Sequence, residues 1–293
     1  AVGAGLELNI VQGYEFLAKE YEEGDEVYVV GFSRGAYTAR SLVGMIRNCG
    51  LISPKHLALR VAIASGIYRT RQDSVDSSTA NMFRAAFSRE IKIKYVGIWD
   101  TVGALGVPLN LTKDVNMKFY EFHDTKLSNI VENAFHAVAI DEHRQDYDVC
   151  LWSPESVPEQ QLEQRWFLGA HCDVGGGYRD RRLSDMTLGW MQNKASALGL
   201  ALNPVAVGQK NYLGDFTDAY AQFLGGLYAK KIRAITAQSP RPSSARKRST
   251  PRCSFAVRKT ATTSRRITGC RRCNDRACCT RVNLIRIRSC LVT

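Results

Sequence analysis

Residues 27 to 40 read VYVVGFSRGAYTAR. Within 14 positions the chain passes from a β-branched apolar run, through a Gly-x-Ser-x-Gly pentapeptide, into a pattern of helical period. Val27, Val29 and Val30 belong to a short continuous apolar run, the signature of a strand covered on both faces. After the turn, Ala36, Ala39, Leu42, Val43 and Ile46 recur at three and four, which predicts a helix that ends near Asn48 to Gly50. Gly31 and Gly35 flank Ser33. Small residues at these two places let strand and helix approach closely and lift a serine hydroxyl above the end of the strand. A strand leading directly into a helix through such a turn constrains the fold to an α/β arrangement.

The rest of residues 1–232 repeats that grammar. Residues 6–22 read as a helix through Leu6, Ile10, Val11, Tyr14, Leu17, Ala18 and Tyr21, with Gly24 as its stop. KIKYVGIWD, 92–100, predicts a second strand, and RWFLGAH, 165–171, a third, followed by the turn DVGGGY. Residues 66–90 are polar and weakly patterned, residues 126–140 read as helical, and Ser184 caps a helix with Met186, Trp190, Met191, Ala195 and Leu198 inward. Strands that end in glycine-bearing loops and alternate with helices predict a mainly parallel sheet with helices on both faces. Sites in such sheets form beyond the carboxyl ends of the strands.

Composition divides the chain in two. Residues 230–293 carry 18 Lys or Arg and one acidic residue, Asp275, a net of +17, which leaves about −5 for residues 1–229 out of the overall +12. Six of the nine cysteines lie in the same segment. We therefore divide the sequence into a body, 1–232, and a basic Arg/Cys/Ser-rich tail, 233–293, for which disorder is the expectation. The three cysteines of the body, Cys49, Cys150 and Cys172, do not make a disulfide scaffold. CRRCNDRACC in the tail offers one CxxC and two adjacent cysteines, a poor zinc set, so neither metal nor cofactor is expected. The arginines would bind any phosphate backbone in a salt-dependent way, without sequence preference. No run is long and apolar enough to span a membrane, and AVGAGLELNIVQGYEF has no signal-peptide pattern. A cytoplasmic location is the corresponding expectation.

Three polar residues sit where an open sheet would place a site: Ser33, Asp100 and His171. A serine hydroxyl needs a base, and the base needs a partner that fixes its tautomer. The order Ser, Asp, His is that of α/β hydrolases, with Asp100 closing KYVGIW and His171 closing RWFLGA. Of the other histidines, His56 and His123 fall in polar or loop stretches, and His136 and His143 read as structural. Asp141 and Asp173 rival Asp100 as the acid. A competing enzyme class pairs Ser33 with Asp173 in a Ser-Asp dyad of the patatin type. The non-enzyme alternative is an inactive fragment with a tail that adheres to nucleic acid. The backbone N–H of Arg34, at the positive end of the helix after Ser33, is the first oxyanion donor.

The blocks GFSRGAYTARSLVGMI, YVGIWDTVGALGVP, AFHAVAIDEHR and RWFLGAHCDVGGGY with LSDMTLGWM together resemble the catalytic domain of the type VI secretion phospholipase effectors. The resemblance covers about residues 1–232, which makes that body the expected catalytic domain. It implies an α/β-hydrolase fold, a Ser33–His171–Asp100 triad, and hydrolysis of fatty-acyl esters of membrane lipids. It also implies export from the producing cell without a signal peptide, and a secretion-apparatus or immunity protein as partner. Family members begin with a strand ending in an Asp-Gly-Thr turn, whose loop supplies a second oxyanion donor. The present sequence starts after it, so the resemblance implies a sheet incomplete at the N-terminus. The abrupt change of composition after FTDAYAQFLGGLYAKK reads as translation out of frame from about residue 235.

Overall fold

The computed structural model describes residues 2–70, 76–102, 126–154, 157–222, 226, 230–235 and 283–287. The first helix, α1 (Val2–Glu20), leads into β1 (Glu26–Phe32), α2 (Arg34–Cys49), β2 (Leu51–Ile52), α3 (Pro54–Arg69), α4 (Ser78–Phe87), β3 (Ser88–Arg89) and β4 (Ile93–Trp99). Next come β5 (Val131–Ala139), β6 (Gln161–Phe167), a one-turn helix α5 (His171–Gly175), α6 (Arg182–Ser196), the short α7 (Ala219–Gln222) and β7 (Asn283–Ile287).

The central sheet has the order β6-β5-β4-β1-β7. Its first four strands are parallel, and β7 runs antiparallel along the outer edge of β1. A two-residue antiparallel pair, β2 with β3, lies apart. Alternation along the strands sends two sets of side chains to two cores. Val27, Val29, Val96, Ile98, Val131 and Ala134 pack with α1 to α4. Tyr28, Tyr95, Phe135, Ala137 and Ala139 pack with Met191 and Ala195 of α6 and Val174 of α5. The chain is therefore an α/β fold with helices on both faces of a mostly parallel sheet.

α2 is the central helix, and Ala36, Ala39, Leu42, Val43 and Ile46 are all buried as the period required. The polar stretch 66–90 holds the end of α3 and all of α4, whose N-cap Ser77 accepts a hydrogen bond from the Ala80 N–H at 3.1 Å. α6 starts at Arg182, two residues before the expected cap, and Ser184 instead donates to the Arg181 carbonyl.

Two expectations are corrected. Residues 131–139, read as helical, form β5. Both faces of β5 are covered from Ala134 on, so its apolar residues do not alternate with polar ones, and the spacing of Val131, Ala134, Phe135 and Val138 imitates a helical stripe. The third strand ends at Phe167 rather than Ala170, and His171 begins α5 instead of closing a strand. The loop TVGALGVP, from Gly103 on, and His123 lie outside the described residues. So does the tail, except for residues 233–235 and β7.

Candidate active site

Ser33 sits between β1 and α2 with φ 59° and ψ −122°, a backbone conformation rare for a residue with a side chain. The surrounding structure imposes it. A Cβ on Gly31 would collide with the carbonyl of Gly35 and the amide of Ala36, so only glycine lets β1 and α2 pass this closely. The Ser33 N–H donates to the Trp99 carbonyl at 3.0 Å, which locks the elbow to the end of β4. Ser33 is left 4% exposed, with Arg34 as the first residue of α2.

Asp100 follows β4 and is the second described residue other than glycine at positive φ, 39°. It is fully buried. Its own N–H donates to the Ala137 carbonyl at 2.8 Å, and its Oδ1 accepts the Ala139 N–H at 2.9 Å. The carboxylate is thus fixed against β5 at two points.

His171 joins the two. Its Nε2 is 2.7 Å from Ser33 Oγ, and its Nδ1 is 2.6 Å from Asp100 Oδ2. The Phe32 ring lies 4.5 Å from the imidazole, and the Tyr147 ring meets it edge-on at 5.1 Å. The His171 N–H donates to Glu142 Oε2 at 3.3 Å. Glu142 is buried, and burial alone would raise its carboxyl. The hydrogen bonds and charge of Arg144 outweigh that and hold it below the ordinary value. Three residues more than 60 positions apart in sequence therefore form a hydrogen-bonded row, with His171 in reach of both Ser33 and Asp100.

The rival acids are elsewhere engaged. Asp141 Oδ2 accepts the Gly169 N–H at 2.7 Å. Asp173 accepts the Ala170 N–H at 2.9 Å and both the N–H and hydroxyl of Thr217. His136 is on β5, fully buried. Its Nε2 accepts the Thr101 N–H at 3.2 Å, and its Nδ1 faces Gln164 Oε1 at 3.3 Å. Burial, reinforced by the charge of Arg40, pushes its imidazole down to about 3, so it is neutral.

One residue at this site escaped the sequence reading. Arg233, assigned to the tail, is 5% exposed and pairs with Asp100, Nη1 to Oδ1 at 2.6 Å and Nη2 to Oδ2 at 3.0 Å. Burial alone would raise the Asp100 carboxyl. The Arg233 charge and the bonds from His171 outweigh it and hold the group well below the usual carboxylate range. The available signal was KKIRAI, in which one arginine stands among apolar residues at the edge of a basic run. Among the described residues no group of three His, Cys, Asp or Glu is placed to hold a metal ion, and no helix is long and apolar enough to cross a membrane.

An uncharacterized protein of Saccharomyces cerevisiae is 37% identical over 158 residues, covering 51% of this chain and 22% of that protein. Among solved structures, an uncharacterized protein from Pseudomonas aeruginosa has 19% identity and a TM-score of 0.34 over 69% of this chain and 26% of its own. The Tle1 effector bound to the VgrG spike from the type 6 secretion system has 22% identity and a TM-score of 0.31, over 61% of this chain and 30% of its own. The chain thus spans between about a fifth and a third of the length of these relatives. Residues 1–194 match the family described as T6SS phospholipase effector Tle1-like, catalytic domain, and the chain belongs to that family.

Proposed function

We propose that this chain is a serine hydrolase that cleaves the fatty-acyl esters of phospholipids through a covalent acyl-enzyme. The observation that carries the reading is the imidazole of His171, held between the Ser33 hydroxyl at 2.7 Å and the Asp100 carboxylate at 2.6 Å. Asp100 accepts from Nδ1–H, which leaves Nε2 to take the hydroxyl proton. Ser33 Oγ attacks the ester carbonyl as its proton passes to His171 Nε2. The negative charge on the carbonyl oxygen faces the Arg34 N–H at the positive end of α2. The tetrahedral adduct collapses as His171 returns the proton to the departing lipid alcohol. Water then enters, gives a proton to His171 and hydrolyses the acyl–Ser33 ester, which releases the fatty acid and restores the hydroxyl.

The family description, a phospholipase effector of the T6SS, supports this choice of substrate class and partner. Membrane phospholipid is the proposed substrate. A component of the secretion apparatus, and an immunity protein that neutralises the effector, are the proposed partners.

An alkyl fluorophosphonate tests the chemistry, because it reacts with an activated serine without needing the right lipid. We expect labelling of the folded chain that disappears in Ser33→Ala and in His171→Ala. A folded parent chain that takes no label at any pH would sink the reading. Release of fatty acid from phospholipid vesicles, lost in the same variants, tests the substrate class.

A further inference from the structure

We propose that Arg233 is a positioning residue of this site, which grips the Asp100 carboxylate by both oxygens and so fixes the direction from which His171 is held. The inference rests on the triad reading above.

Arg233 is delivered by a short strap. Lys230 forms an antiparallel bridge with Arg144. The Lys231 N–H donates to the His143 carbonyl at 2.9 Å, and its ammonium pairs with Asp148 at 2.5 Å. After these anchors the chain does the opposite of what solvation favours. Ile232 and Ile235 are 77% and 59% exposed, while the arginine between them is 5% exposed. Isolated arginine is almost never buried, so specific partners must hold it.

Those partners close a ring around the carboxylate. Nη1 bonds Asp100 Oδ1 and, at 2.7 Å, the Ala139 carbonyl. Nη2 bonds Asp100 Oδ2 and the Tyr147 carbonyl. The Ala139 N–H meanwhile donates to Asp100 Oδ1. One residue of β5 therefore binds the acid with its N–H and the arginine with its carbonyl. A carboxylate held by two guanidinium nitrogens and a strand amide cannot rotate about its last bond. Oδ2 keeps its line to His171 Nδ1, the orientation that fixes the imidazole tautomer. Buried ion pairs add little net stability compared with apolar packing, so geometry is the larger effect expected of this pair.

The other charged or titratable groups here face different partners. Glu142 and Arg144 pair with each other beside the His171 backbone, Asp173 is tied to Thr217, and His136 bonds the Thr101 N–H. Tyr147 meets the His171 ring edge-on. Removal of Arg233 therefore takes away the cation in direct contact with the acid, and proton uptake by Asp100 becomes easier. Activity that depends on the Asp100 carboxylate must then be lost at a higher pH on the acid side, since loss of the Arg233 charge favours the protonated form of Asp100.

The test is the pH profile of kcat/KM for vesicle hydrolysis in the parent, Arg233→Met and Arg233→Lys, with fluorophosphonate labelling as a parallel readout. For Arg233→Met we expect kcat lower by on the order of 10², the scale of a small misplacement of catalytic groups. KM should change little, and the acid limb should move to higher pH. Arg233→Lys keeps the charge but not the two-pronged grip, so its limb should return toward the parent while kcat stays depressed. Parent-like kcat in Arg233→Lys overturns the proposal, including when Arg233→Met fails to fold. The NMR signal of the His171 Nδ1–H proton separates this outcome from failure of the functional reading, because it needs no turnover. We expect it to shift in Arg233→Lys combined with Ser33→Ala relative to Ser33→Ala alone. An unchanged signal overturns the positioning role even if the parent chain hydrolyses nothing.

Discussion

The side chain of Thr217 donates to Asp173 Oδ1 at 3.0 Å, while the Thr217 N–H donates to Oδ2 at 3.1 Å, across 44 residues of sequence. Oδ2 also accepts the Ala170 N–H, one residue before His171. This carboxylate staples the loop after α6 to the start of α5. It does not face the Ser33 hydroxyl, whose partner is His171. A Ser-Asp dyad through Asp173 and a triad through His171 thus predict opposite outcomes. Asparagine at 173 can turn its oxygen to the two N–H groups and its amide to the Thr217 hydroxyl. Asp173→Asn should therefore cost about 1–2 kcal/mol of stability, from the lost charge-assisted bonds, and keep fluorophosphonate labelling within a few-fold. His171→Ala should stay folded and lose on the order of 10⁴ or more in kcat. Labelling that survives His171→Ala and vanishes in Asp173→Asn would make this a dyad enzyme.

Gly175 tests how tightly the elbow is built. A Cβ at 175 would enter the ring of Phe32, the residue before Ser33, and that ring also packs on His171. Phe32 cannot move without disturbing either Ser33 or the imidazole. Gly175→Ala should destabilise the chain by about 1–3 kcal/mol through overpacking and should lower kcat more than it changes KM. Thermal unfolding and vesicle hydrolysis measure the two effects. Gly31→Ala should be more severe, because its Cβ meets the backbone of Gly35 and Ala36 rather than a side chain. Little or no folded, labelled protein is expected there.

These cases show why part of the site was legible in the sequence. The elbow is local: strand, Gly31, Ser33, Gly35 and helix are contiguous, and steric rules tie them together. Asp100 was equally readable, since it ends an apolar run. His171 was identified although its strand stops at Phe167, because the glycine-rich stretch after it marks the sheet end even when the boundary slips. β5 was not legible, since a strand buried on both faces has no polar alternation to give its period. Arg233 was hidden for a different reason. Its partner is 133 residues away, and its place at the edge of a basic segment made one more arginine look like solvent-facing charge.

Asp100 should be the most damaging single neutralisation in the site. Asp100→Asn presents an amide where both the imidazole Nδ1–H and the Arg233 guanidinium need an acceptor, and it leaves that guanidinium buried without its counter-charge. We expect kcat lower by about 10⁴, from the wrong imidazole tautomer, and a stability loss of about 3–5 kcal/mol from the broken buried pair. The double variant Asp100→Asn, Arg233→Met removes the stranded charge. It should recover part of the stability and none of the activity. Equal unfolding midpoints for the single and double variants would contradict the buried pairing.

His136 sets the response of the fold to acid. Its imidazole is pushed down to about 3 by burial and by Arg40, whereas in the unfolded chain it would titrate near the ordinary value of 6.5. Between those two values the unfolded state binds the extra proton, so stability falls as pH is lowered from about 6.5 toward 3. The slope from this residue alone cannot exceed about 1.4 kcal/mol per pH unit. The structural cause lies beside Asp100. Nε2 accepts the Thr101 N–H, and a proton there would set donor against donor directly after Asp100. Glutamine can offer the same acceptor without titrating. In urea melts at pH 7.5, 6.5, 5.5 and 4.5, His136→Gln should be less stable than the parent at neutral pH. Its stability should decline less steeply below 6.5. Parallel curves for the two proteins would mean that His136 takes up its proton in the folded state as readily as in the unfolded one.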